Sequence, residues 1–358
     1  MAVLDQYLIR MKDEGASDLH LSTGRPAMLR LKSEVVRISE KALSHDDLCK
    51  ILFEIMNKSQ IEKAKSNWDV DFAYAIEGVA RFRSNVFYNH RGIGAVFRII
   101  PADIIPLEKL NLPPIVTTLS ELNKGMVLVT GPTGSGKSTT LASMIDHINT
   151  NIGGHIITIE DPIEFVHPPK KALITQREVH NHTKNFANAL KAACREDPDI
   201  ILVGEMRDLE TIRLALSAAE LGVLVFGTLH TNSASKTVDR IIDTFPEEEQ
   251  NQIRSMLSES LKGVIAQQLL RTKDGKGRCA AIEVLVGGTA LASMIRENKT
   301  TQIASMIQTR SGEGMISMDK FLMKLIQEDK ITKQEARSKA HDKKLFLEPG
   351  EKLDPNEH

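Results

Sequence analysis

The sequence has no CxxC pair. Its three cysteines, Cys49, Cys194 and Cys279, stand far apart, so a zinc ribbon is not expected. They read as buried free thiols, which fits a reducing compartment. Charge of one sign is not in excess either: 46 Lys and Arg face 47 Asp and Glu. Such a chain lacks the global basic field that would hold nucleic acid, and no stripe alternates basic with aromatic residues. No run approaches the roughly 18 apolar residues of a membrane span. The nearest, Leu214 to Leu229, contains Glu220 and breaks at Gly222. The opening MAVLDQYLIRMKDEG has neither basic leader nor apolar core, which argues against a signal peptide. Internal repeats and low-complexity segments are missing as well.

What remains is a soluble globular composition, 41% hydrophobic and 26% charged, in 358 residues, enough for two or three domains. Residues 1–100 read as an α+β domain. Leu4, Tyr7, Leu8 and Met11 have helical spacing that Gly15 ends, and Leu19 and Leu21 alternate as in a half-buried strand. Ser44 can cap a second helix. Strands are expected at 69–76, 80–88 and 93–100. Prolines at 101, 106, 113 and 114 mark an interdomain linker over 101–114. From 115 to 345 buried-type strands alternate with helices: MVLVT, HIITIE, ALIT, IILVG and VLVFGTL, each followed by a polar or helical stretch. That alternation predicts a largely parallel sheet covered on both faces. A long helix is expected over 252–270, then a strand at 280–286 and a mostly helical end in which Thr332 and Glu335 form a capping box. Residues 346–358, rich in charge and proline, read as a disordered tail.

Residues 131–138, GPTGSGKS, fit GxxxxGK[ST] between a strand and an amphipathic helix. The loop Gly131, Pro132, Thr133, Gly134, Ser135, Gly136, Lys137, Ser138 and Thr139 is therefore expected to bind ATP. Backbone N–H groups and the helix N-terminus would surround phosphate oxygens. Lys137 would reach the β- and γ-phosphates, and Ser138 would ligate Mg²⁺. DPDIILVGE, 197–205, is a strand ending in an acid. Gly204 stands where an aspartate often sits, so Glu205 is the candidate base for the attacking water, and the candidate partner of Mg²⁺ through a water. Glu160, Asp161, Glu164 and His230 also follow strand ends, where ligands of parallel sheets bind. His167, His180 and His182 read as surface residues rather than metal ligands. Arg81, Arg83 and Arg98 could supply the cations that a dissociative phosphoryl transfer needs, or simply face solvent.

Taken with SDLHL (17–21), RFRSNVF (81–87), TIEDPIEF (158–165), REDPDIILVGEMRD (195–208) and GTLHTNSA (227–234), the chain resembles the secretion and type IV pilus ATPases, nearest their retraction branch. The resemblance spans about residues 1 to 335. It implies an N-terminal PAS-like domain followed by a RecA-like P-loop ATPase domain, assembled as a homohexamer. It also implies that TIEDPIEF is the aspartate box, with Glu160 and Glu164 in the pocket, and that GTLHT is the histidine box with His230. Arg81, Arg83 and Arg98 fall where family arginines reach the nucleotide across a domain or subunit boundary. Implied partners are an inner-membrane platform protein and a second retraction ATPase, with the ring peripheral at the cytoplasmic face of the bacterial inner membrane. Residues 290–297, ALASMIRE, keep Ala290, Ile295, Arg296 and Glu297 of the retraction segment AIRNLIRE and depart from it between them. The loop Glu220-Leu221-Gly222-Val223 departs from the family's ETGH. Extension ATPases usually have a longer N-terminal region and a tetracysteine insert, and neither is present. A DNA-pumping ring is the rival of another class, and the balanced charge weighs against it.

Overall fold

The computed structural model describes residues 2–31, 34–100 and 103–347. The chain forms two compact units. The first is Met1–Asp103 with Pro162–Val166, and the second is Ile104–Asp161 with His167–His358.

In the first unit, α1 (Val3–Asp13) leads into β1 (Asp18–Ser22), β2 (Met28–Leu31) and β3 (Glu34–Arg37). Helices α2 (His45–Phe53) and α3 (Lys58–Asn67) follow, then β4 (Asp69–Ile76), β5 (Ala80–Asn89) and β6 (Gly92–Ile100). The strands pair antiparallel in the order β3-β2-β1-β6-β5-β4. Leu4, Leu8 and Met11 of α1 and Leu48 and Leu52 of α2 share a core with Leu19, Leu21, Phe82, Val86 and Phe97. Each such side chain, fully buried, contributes about 1.5–3 kcal/mol. Ser44 caps α2 as expected, its Oγ accepting the Asp47 N–H at 3.1 Å. The β2–β3 hairpin and α3, which starts with an Asn57/Gln60 capping box, carry little apolar periodicity and were not expected from sequence.

The second unit begins with α4 (Ile115–Ser120), β7 (Gly125–Thr130), α5 (Lys137–Asn151), β8 (Gly154–Glu160) and β9 (Ala172–Glu178). It continues through α6 (Phe186–Ala193), β10 (Ile200–Val203), α7 (Leu209–Glu220), β11 (Leu224–Leu229), α8 (Ala234–Asp243) and α9 (Glu247–Ser260). Last come β12 (Leu261–Arg271), β13 (Arg278–Val286), α10 (Thr289–Arg296), α11 (Ile303–Thr309), α12 (Met318–Gln327) and α13 (Lys333–Arg337). The sheet order is β13-β12-β7-β11-β10-β8-β9. All of it is parallel except the edge strand β13. Alternate residues enter two cores: Met126 and Leu128 lie under α6 to α11, Val127 and Val129 under α4, α5, α12 and α13. Burial on both faces explains why these strands are apolar throughout.

The structure departs from the sequence expectations at several places. The helix expected over 252–270 ends at Ser260, and Leu261–Arg271 is strand β12 between β7 and β13. Val264 and Ile265 face opposite cores, and a two-faced apolar strand shares its lack of alternation with a buried helix. Of the 101–114 stretch, residues from Ile104 on group with the second unit. Leu107 is buried there, and Ser143 Oγ donates to the Ile105 carbonyl at 2.5 Å. Phe346 is likewise core rather than tail, while 348–358 lie outside the described residues. No cysteine is buried: Cys194 is exposed, and Cys49 and Cys279 are half-buried.

His167, expected at the surface, is 8% exposed, and its Nδ1 has no hydrogen-bond partner among the described residues. Burial pushes its pKa down from 6.5 to about 4, with Asp146 pulling up and Lys170 pulling down. Between those values the unfolded chain binds the proton and the native state does not. Stability is therefore full above about pH 6.5 and falls as the pH drops towards 4, by up to about 3 kcal/mol. His167→Leu should flatten that part of the profile in denaturant titrations between pH 7.5 and 4. An unchanged slope would mean that His167 does not carry the acid sensitivity.

Candidate active site

Strands β7, β11, β10 and β8 lie side by side and parallel, so their C-terminal ends open on one edge of the second unit. Thr130 pairs in register with Leu229, and Val203 with Gly227 and Ile159. The edge thus gathers the loop after β7, Glu160 at the end of β8, Gly204 and Glu205 after β10, and His230 after β11.

The loop 131–136 connects β7 to α5. Gly131, Gly134 and Gly136 have φ of 145°, 77° and 90°, a region that side chains disfavour. Space is the second constraint. A Cβ on Gly131 would lie 2.2 Å from the Gln267 carbonyl oxygen, and one on Gly136 2.7 Å from Gln267 Nε2. Pro132, Thr133 and Gly134 are exposed, whereas Ser135 is buried, its Oγ without a hydrogen-bond partner among the described residues. Lys137 Nζ donates to the carbonyls of Gly131 at 2.8 Å and Pro132 at 3.1 Å. Ser138 and Thr139 are half-buried in the first turn of α5. An accessible loop of positive-φ glycines at a helix N-terminus, carrying an ammonium group, fits an anionic phosphate.

Glu205 sits within a small ionic cluster. Its Oε1 lies 2.9 Å from His230 Nε2 and accepts from Arg207 Nε at close range. The Arg207 guanidinium is pushed up in pKa chiefly by that hydrogen bond. Gly204 has a packing reason: its N–H donates to Ile159 O at 2.7 Å, and its carbonyl accepts from Thr228 Oγ1 at 2.6 Å. A Cβ there would lie 3.1 Å from Ile159 O and 3.2 Å from Glu160 Cα. A side chain there would need the backbone of β8 to yield by a few tenths of an ångström, and the acid falls one residue later.

Glu160 accepts from Thr158 Oγ1 at 2.7 Å and Gln176 Nε2 at 3.3 Å. Glu164 lies in Pro162–Val166, the stretch that groups with the first unit. Arg81, Arg83 and Arg98 occupy that unit's sheet on the face away from its core, with Arg83 and Arg98 paired in register. Arg98 Nε donates to Asp18 Oδ1 at 2.8 Å. Burial pushes the Asp18 carboxyl up, but hydrogen bonds from Ser17 and Arg98 outweigh it and leave its pKa below the usual value. Two polar groups of the P-loop edge escaped the sequence reading. Arg207 stands in the GEMRD stretch, two residues from the acid that it pairs with. Gln267, on the strand mistaken for a helix, left no signal.

In α10 the N-cap is Gly288. Leu291 and Ile295 are buried in the second unit's own core, while Arg296 and Glu297 are exposed.

The Type II/IV secretion system protein profile matches residues 1–351. The Type IV pilus retractation ATPase PilT of Pseudomonas aeruginosa is 53% identical over 327 residues, 91% of this chain and 95% of that protein. A twitching motility protein of Neisseria gonorrhoeae is 54% identical over 313 residues, 87% of this chain and 84% of that one. A crystal structure of the pilus retraction motor PilT with bound ADP superposes with a TM-score of 0.89 at 46% identity, covering 96% of this chain and 98% of that one. The chain belongs to the Type II/IV secretion system protein family.

Proposed function

We propose that this chain is an ATPase motor that drives type IV pilus retraction. The observation that carries the reading is an intact hydrolytic set, Lys137 in its loop and Glu205 bonded by Arg207 and beside His230, within a chain 53% identical to a pilus retractation ATPase over almost its full length.

The loop 131–139 binds the phosphates of ATP, with Lys137 turning from the Gly131 and Pro132 carbonyls to the β- and γ-oxygens. Glu205 takes a proton from the water whose oxygen bonds to the γ-phosphorus; the bond from that phosphorus to the β–γ bridging oxygen breaks, ADP leaves keeping that oxygen, and inorganic phosphate is released. The family resemblance supports His230, 2.9 Å from Glu205, as a donor to the transferred phosphoryl. Mg²⁺, when bound, neutralises phosphate charge; the Ser138 hydroxyl would hold it directly and Glu205 through a water, and these oxygen donors suit a hard cation. The family resemblance supports assigning Glu160 and Glu164 to its aspartate box. The family resemblance supports assigning Arg81, Arg83 and Arg98 to the developing phosphoryl charge. It supports equally the PAS-like and RecA-like domain identities, a homohexameric ring, and a platform protein at the inner membrane as the load. No helix among the described residues is long and apolar enough to cross a membrane, which fits a ring docked on such a partner.

Deletion in the host tests the reading. Surface pili should accumulate while surface motility is lost, and the wild-type chain should restore both. Loss of pili on deletion would make this an extension motor instead.

A further inference from the structure

Gln267 is 3% exposed and stands on β12, which is fixed on one side by β7 and on the other by β13. Ala266 pairs in register with Thr130, the last residue before the phosphate-binding loop, and Gln267 pairs with Ile282. The Gln267 side chain bridges that loop. Its Nε2 donates to the Ser135 carbonyl at 2.8 Å, and its Oε1 accepts from Thr140 Oγ1 at 2.8 Å. The amide orientation follows from chemistry, because a backbone carbonyl can only accept. The two anchors flank Gly136 and Lys137, so the amide spans the residues that present the cation and open α5.

The glycines report the same residue. Gly136 packs on its amide nitrogen, and Gly131 on its main-chain carbonyl, closer than a Cβ would sit without something shifting. The loop is therefore moulded on Gln267 as well as on the phosphate that it receives. We propose that Gln267 is a positioning residue that holds the loop in its phosphate-binding shape. The inference rests on the reading of that loop as a nucleotide site. A loop shaped in advance binds more tightly, because ordering it costs nothing on binding.

Two variants test this in the purified full chain: Gln267→Met, similar in length but without either hydrogen bond, and Thr140→Val, which removes one anchor. ADP affinity should fall about tenfold in the first and about threefold in the second, the scale of one or two hydrogen bonds. The loop holds phosphate in ground and transition states alike. The KM for ATP should therefore rise by similar factors with kcat within about threefold. Unchanged ADP affinity and KM in folded Gln267→Met, with only a lower melting temperature, would overturn the proposal and leave Gln267 as core packing. Should Gln267→Met not fold, unchanged affinity in Thr140→Val overturns it, and a loss supports it. Wild-type protein that fails to bind ADP would sink the nucleotide reading itself, a result distinct from either.

Discussion

Glu205→Gln should retain ATP while its steady-state phosphate release falls by about 10²–10⁴-fold, the range over which a positioned base acts. The substitution is close to isosteric. The amide oxygen can still accept from Arg207 beside His230, so the cluster around position 205 keeps its shape and loses its basicity. Glu205→Ala is a poorer probe, because it strips Arg207 of its acceptor and confounds chemistry with rearrangement. Nucleotide affinity and phosphate release, measured side by side, separate the two effects. Turnover within about threefold of wild type in Glu205→Gln would remove this carboxylate from the proton-transfer step.

Lys137→Ala should fail one step earlier. The ammonium is the one side-chain cation of the loop, and its removal costs charge-assisted hydrogen bonds of about 1.5–3 kcal/mol each, or roughly 10–150-fold in affinity. Lys137 also ties the Gly131 and Pro132 carbonyls, so the loop loses an internal brace. ATP binding should drop by about a hundredfold, with no detectable hydrolysis. Lys137→Arg should not rescue it, because a planar guanidinium cannot replace a compact point charge in a loop this tight. Equilibrium binding of a fluorescent ADP analogue checks the affinity; binding equal to wild type would contradict the assigned role.

The P-loop was legible because its chemistry is local: spacing, glycines and the flanking strand and helix all lie within some twenty residues. Glu205 and His230 were legible as strand ends, and their 2.9 Å contact follows from β10 and β11 being neighbours in a parallel sheet. Long-range packing was not legible. Gln267 reaches Ser135 across 132 positions of sequence, and its strand looked helical because both its faces are buried. His167 looked like a surface histidine because Ile163, Phe165 and Val166 before it run into two prolines and two lysines, with no strand or helix period that would announce which of them is buried. The apolar face of α10 packs on its own unit through Leu291 and Ile295, which the motif comparison at 290–297 did not reveal. The linker was overdrawn because prolines mark irregular backbone, which here includes a stretch packed on α5 from Ile105.

That hydrolysis at Glu205 drives retraction is tested most directly by imaging labelled pili on cells whose sole copy of this chain is wild type or Glu205→Gln. The account predicts pili that extend and retract with the wild-type chain, and pili that extend and stay out with the variant. Retraction at the wild-type rate in Glu205→Gln cells would contradict it.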